Sequence, residues 1–135
     1  MTKYIIYFWK HHDFTKACGF FDDNDCIKFD TDYFYDSLMD EDNTHGQADC
    51  QTFDTIEEAK AVFEEIKSKC NIRVLTSRRI KNGIEADIRV DMCEIAADEF
   101  DEDGDLIGSE SIEFYTKELT ITLDENGDRN YEITE

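Results

Sequence analysis

The segment DEFDEDGDLIGSE, Asp98 to Glu110, places seven carboxylates in thirteen residues. Side chains of that kind and density can supply oxygen ligands to a hard divalent cation, sit solvated on a turn, or present a row of anions to a cationic surface. The spacing bears on the first of these. Counted from Glu99, carboxylates fall at positions 1, 3 and 5 (Glu99, Asp101, Asp103), a glycine at position 6 (Gly104) and a glutamate at position 12 (Glu110).

That stretch resembles the calcium loop of the EF-hand family, D-x-[DN]-x-[DN]-G-x5-E, and the resemblance implies a calcium-binding domain. It departs from the family in having Glu99 rather than Asp at position 1, and Ile107 at position 9, where a polar ligand is usual. An EF-hand also needs a helix on each side. Here Ile84 to Met92 and Leu119 to Leu123 alternate apolar and polar residues as strands do, so the segment is expected to be a hairpin turn and calcium binding is the least favoured reading.

Other chemistry has less to rest on. His11 and His12 are adjacent, His45 stands apart, and no C-x-x-C pair occurs among Cys18, Cys26, Cys50, Cys70 and Cys93, so no metal site and no cofactor are expected. The cysteines are odd in number and irregularly spaced, and only six apolar residues (Tyr4 to Trp9) follow Lys3. Those features read as free thiols in a reducing cytoplasm rather than a disulfide framework behind a signal peptide. No G-x-S-x-G elbow or phosphate-cradling glycine loop occurs, and any two of 34 carboxylates could imitate a glycosidase pair, so the expectation is no enzyme. No apolar run approaches the roughly 20 residues that cross a bilayer.

Charge is the dominant property. The 34 acidic and 14 basic side chains of this 135-residue chain leave a net charge of -20, far outside the roughly 2 to 8 units that suffice for solubility. Such a chain repels nucleic acid and anionic membrane surfaces and attracts basic protein surfaces. Ten Phe, six Tyr and one Trp argue against disorder and for a folded core. The charge is also unevenly placed. Residues 1–54 carry 12 acids and 4 bases, residues 55–93 carry 7 acids and 8 bases, and residues 94–135 carry 15 acids and 2 bases. Both ends are acidic and the middle is balanced, with Arg73, Arg78, Arg79 and Lys81 as a local basic group.

The elements that must position these acids follow from periodicity. KYIIYFWKH reads as a central strand, and ACGFF and CIKF flank the turn-forming DDND (Asp22 to Asp25) as an early hairpin. Tyr33 to Met39 is a short strand or a helical turn, and DEDNTHGQ a loop. Thr55 to Cys70 is an amphipathic helix: Thr55 and Glu58 make a capping box, and Ile56, Ala59, Phe63, Ile66 and Cys70 share one face. Asn82-Gly83 joins Val74–Ile80 to Ile84–Met92 as a hairpin. The alternation slips at Cys93 to Ala97, where a bulge or break is expected. Further turns at DEDGD and ENGD separate strands around Ile112–Phe114, Leu119–Leu123 and Tyr131–Ile133.

These readings give one α+β domain over residues 1–135: a meandering antiparallel sheet with one principal helix, about residues 55–70, packed on it. In size, acidity and want of catalytic motifs the chain resembles the acidic anti-restriction and anti-CRISPR proteins of phages and mobile elements. That resemblance implies a non-enzymatic, cytoplasmic inhibitor that imitates DNA and docks on the basic surface of a nuclease or other nucleic-acid-binding protein. The expected partner-binding residues are Asp98, Glu99, Asp101, Glu102, Asp103, Asp105 and Glu110, with Asp22, Asp23, Asp25, Asp40, Glu41 and Asp42 as a second patch. The alternative is an acidic interaction or scaffold domain of unknown partner that associates, with itself or another protein, through an exposed aromatic or edge-strand surface.

Overall fold

The computed structural model describes residues 1–39 and 49–134. Along the chain it forms β1 (Thr2–Phe20), β2 (Cys26–Phe29), α1 (Thr31–Met39), β3 (Asp49–Phe53), α2 (Ile56–Lys67), β4 (Ile72–Ile80), β5 (Gly83–Phe100), β6 (Leu106–Tyr115), β7 (Glu118–Leu123) and β8 (Arg129–Thr134). The fold is α+β and mostly antiparallel sheet. One sheet runs β3-β1-β5, with β4 and β6 both on the far side of β5; the other runs β2-β7-β8.

The long strand β5 organises both cores. Over its first half, Ile84, Ala86, Ile88, Val90 and Met92 point to one face, where they meet Ile27 and Phe29 of β2, Phe34 and Leu38 of α1, and Leu119 and Ile121 of β7. Over its second half, Cys93 and Ile95 point to the opposite face and pack with Ile6 of β1 and Ala59, Phe63 and Ile66 of α2. The slip in alternation at Cys93 is therefore chiefly a change in which face is covered. A register shift does fall between Ile95 and Ala96 against β6, but the pairing of Met92–Glu99 with Thr2–Trp9 of β1 is unbroken.

Strand β1 is central, as its apolar run predicts, and it bends at two places. Register shifts lie between Trp9 and His12 and between Phe14 and Ala17, and His11 and Lys16 there take left-handed φ values of 57° and 53°. Such bulges free backbone N–H groups, and two acids of β5 receive them. Asp91 accepts from the His11 N–H at 2.8 Å and the Asn71 N–H at 3.2 Å, while Asp87 accepts from the Lys16 N–H at 3.0 Å and the Thr76 hydroxyl at 3.0 Å. Each acid thus ties the bulged strand to β4 or its lead-in. At the far end of the pair only glycine fits: a Cβ on Gly83 would lie 2.1 Å from the Gly19 carbonyl oxygen.

Helix α2 begins as its capping box predicts, with the Thr55 hydroxyl accepting from the Glu58 N–H at 3.3 Å. It ends at Lys67, earlier than the expected Cys70. The single principal helix is not what the chain builds. Tyr33 to Met39 resolves its two readings as helix α1, so two short helices serve two cores on opposite faces of β5.

The early hairpin is corrected too. The turn forms, with the Asp22 N–H donating to the Cys26 carbonyl at 3.0 Å, but β1 and β2 leave it for different sheets. Cys18 and Cys26, which flank the turn, follow them into those separate sheets. Nor is the sheet a plain meander. The hairpins β4–β5, β5–β6 and β7–β8 join sequence neighbours, whereas β1 pairs with β3 and β5, and β2 with β7. Local turn residues specify the first group; the second depends on burial of apolar faces far apart in sequence. Among the described residues no helix is long and apolar enough to cross a membrane.

Candidate acidic interaction surface

Three acidic segments of this chain build the same turn. In DDNDC the Asp22 carboxylate accepts from the N–H groups of Asn24 (2.8 Å) and Cys26 (3.1 Å). In DEDGD the Asp101 carboxylate accepts from Asp103 (2.9 Å) and Asp105 (2.9 Å), and in DENGD that of Asp124 accepts from Asn126 (2.9 Å) and Asp128 (2.8 Å). The fourth residue of each, Asp25, Gly104 and Gly127, has a φ of 55°, 83° and 80°. The leading aspartate fixes the turn through its side chain, and the fourth position needs the left-handed backbone that Gly, Asn and Asp tolerate best.

That geometry decides what Asp98 to Glu110 is. It caps the β5–β6 hairpin, between strands rather than helices, so the flanking architecture of an EF-hand is missing. Oxygens of Asp101, Asp103 and Asp105 do lie within 4.8 Å of one another, but one Asp101 oxygen already receives two backbone N–H groups. The other carboxylates of the tip, Glu99, Glu102, Asp103, Asp105 and Glu110, are exposed.

Asp98 does not join them. It is 4% exposed and accepts from the Ser109 hydroxyl at 2.5 Å; even-numbered residues of β5 continue the inward face, so Asp98 turns away from solvent. Glu94, two side-chain repeats earlier, is also buried and accepts from the Ser111 hydroxyl at 3.0 Å. Burial, with a smaller push from the Asp98 charge, holds the Glu94 carboxyl above the usual glutamate range. Tyr7, the β1 partner of Glu94, is raised by burial first and then by Asp98.

The structure separates the two expected patches. Because Thr2 of β1 pairs with Glu99 and Phe20 with Gly83, the hairpin tip lies beyond one end of β1 and Asp22–Asp25 beyond the other. Nineteen residues of strand span at most roughly 60 Å. Asp40, Glu41 and Asp42, with the rest of the expected loop, lie outside the described residues. What joins Asp22, Asp23 and Asp25 is the third turn: the Leu123 N–H donates to the Asp25 carbonyl at 3.3 Å, which sets Asp124, Glu125 and Asp128 alongside. Those three were missing from the sequence reading, although the likeness of DENGD to DEDGD marked them.

Basic side chains are used elsewhere. Arg89 pairs with Asp13 (2.8 Å), Arg78 with Glu85 (2.8 Å), and Lys67 with Glu113 (3.3 Å) and Glu64 (3.4 Å). Hydrogen bonds from these arginines lower the carboxyl groups of Asp13 and Glu85 below their ordinary range. No ion pair found among the described residues uses a carboxylate of the three turns. The thiols of Cys70 and Cys93, 3.9 Å apart, are buried in the α2 core. The hydrogen bond the two thiols share, together with burial, pushes the Cys93 thiol up, and the same bond lowers that of Cys70.

Comparison with known proteins finds no match, whether with family models, curated proteins or solved structures.

Proposed function

We propose that this chain is a non-enzymatic inhibitor that occupies the nucleic-acid-binding surface of a basic partner protein, its acidic hairpin tip standing where a phosphate backbone would lie. One observation carries the reading. The tip holds Asp101, Glu102, Asp103 and Asp105 exposed on a turn fixed by its own hydrogen bonds, and no ion pair found among the described residues draws on these carboxylates. A rigid row of anions loses little ordering entropy when it meets lysines and arginines, and its field steers a basic partner towards it. Unlike EF-hand chemistry, this needs only exposed charge on a fixed frame. The DNA-mimic class, the phage or mobile-element setting and a cytoplasmic site of action belong to the same proposal.

The test is capture on the immobilised chain at low and at raised salt. The expected catch is a nuclease or other nucleic-acid-binding protein that salt and added DNA both release, and that Asp101→Lys, Asp103→Lys and Asp105→Lys together abolish while the far-UV spectrum is unchanged. A partner held equally at high salt, indifferent to DNA and to the triple variant, would overturn the reading.

A further inference from the structure

Strands β4 and β6 pair with successive halves of the same side of β5, so they lie end to end and form one composite edge. Among the described residues no strand covers it. The first half of the edge is basic (Arg73, Arg78, Arg79) and the second acidic (Glu110, Glu113). From this geometry we infer that two copies of the chain associate antiparallel across this edge, β4 of each pairing with β6 of the other.

The β5 register supplies the detail. Arg73 and Arg78 stand opposite Arg89 and Glu85, while Glu113 and Glu110 stand opposite Ile95 and Ala97. All four β5 partners are odd-numbered, so these side chains share one face. A two-fold axis normal to the sheet, at the level of Asp91, exchanges the basic half with the acidic half and keeps that face uppermost. Arg78 then stands directly opposite Glu110 of the second copy, and Arg73 lies diagonal to Glu113, one same-face position away. Each strand also carries one bulge, Leu75 at the shift between Val74 and Thr76 and Ile112 at the shift between Ser111 and Glu113, and the axis leaves the two one residue apart. An isologous contact requires this kind of self-complementarity of charge.

Apolar exposure points to the same place. Of the eight large apolar side chains exposed among the described residues, Leu75, Leu106, Ile107 and Ile112 lie on these two strands. A groove of about 460 Å³ runs beside β4, lined by the consecutive residues Ile72 to Ser77 together with Tyr131 and Ile133, which leaves room along the backbone edge. The contact between the Ser77 and Tyr131 hydroxyls does not close it, since Ser77 pairs with Ala86 and so points to the core side. This inference concerns the sheet edge and does not depend on the mimicry proposed for the hairpin tip.

Analytical ultracentrifugation at 0.15 M salt, where charges are screened beyond about 8 Å, tests it by charge exchange. The wild-type chain is expected to sediment at twice its 15.8 kDa at tens of micromolar. One variant carries Arg73→Glu and Arg78→Glu, the other Glu110→Lys and Glu113→Lys. Each alone places like charges across both halves of the interface and is expected to be monomeric, whereas an equimolar mixture restores opposite charges in both halves and the dimer mass returns. A monomeric wild type, variants that still dimerise alone, or a mixture that stays monomeric would each overturn the inference. Amide exchange of the wild type gives a measure independent of the variants: residues 106–115 are expected to slow as concentration rises, and unchanged exchange there would overturn it too.

Discussion

The two halves of β5 turn their large apolar side chains in opposite directions. From Ile84 to Met92 the even-numbered residues are a dry aliphatic row against the second sheet, and the odd-numbered ones are Glu85, Asp87, Arg89 and Asp91, tied to neighbouring strands at their rims. From Cys93 onward the odd-numbered residues face α2, and the even face holds Glu94 and Asp98 under the serines of β6. One strand thus runs through two cores, and the comparison teaches that a change of covered face looks, in sequence, like a break in the strand.

The largest effects should come from emptying either core. Ile88→Ala and Ile95→Ala remove side chains that are 0% and 1% exposed, one from each half; each is expected to cost about 2–5 kcal/mol by urea unfolding. Because β5 is continuous, either substitution should lower the stability of both halves in one transition. Two separate transitions, one per core, would break the comparison by making the halves independent units.

Asp91 sits where the covered face changes, 7% exposed, and receives N–H groups from both β1 and the residue before β4. Asp91→Ala strands those donors and should cost about 1–3 kcal/mol. The corresponding Asp87→Ala is expected to cost less, since the Lys16 bulge it serves is exposed to water that can replace it. Denaturant midpoints for the two variants decide; equal losses would remove the special place of Asp91.

How much of this was legible follows from the same strand. Thr55 to Lys67, Asn82-Gly83 and the DEDGD and ENGD turns depend on residues within a few positions of one another, and periodicity exposed them. The pairing of β1 with β5 brings Thr2 to Glu99, and nothing local to either strand encodes it. The alternation around Cys93 was visible but ambiguous, because a bulge and a switch of covered face leave the same mark. For the acids, sequence gave their density and not their direction. Asp98 turns inward because it continues the even face of β5, while Asp124, Glu125 and Asp128 join Asp22–Asp25 only through the pairing of β2 with β7.

The inward acid makes a pH prediction. Glu94 has its folded-state carboxyl raised by burial, so the folded chain binds that proton more tightly than the unfolded chain does. Its contribution is therefore fully favourable below the ordinary glutamate range and is lost as pH rises through the raised folded value. Glu94→Gln, which keeps the amide within reach of Ser111, should raise the melting temperature at pH 7, and the gain should shrink as pH falls towards 4.5. A gain that is constant with pH would show that the side chain's fit rather than its charge is responsible.

The smallest effects separate turn building from surface charge at the hairpin tip. Asp101 and Asp103 are neighbours in sequence and alike in charge, but only Asp101 accepts the N–H groups of the turn. Asp101→Ala should therefore cost about 0.5–1.5 kcal/mol, as should Asp124→Ala in the third turn, whereas Asp103→Ala should stay within about 0.5 kcal/mol. Partner capture should respond in the other order: Asp103→Ala weakens it through charge alone, with the fold unchanged. If Asp103→Ala instead destabilises the chain as much as Asp101→Ala does, and added calcium restores the wild-type value, the tip is a cation loop and its charge is directed inward.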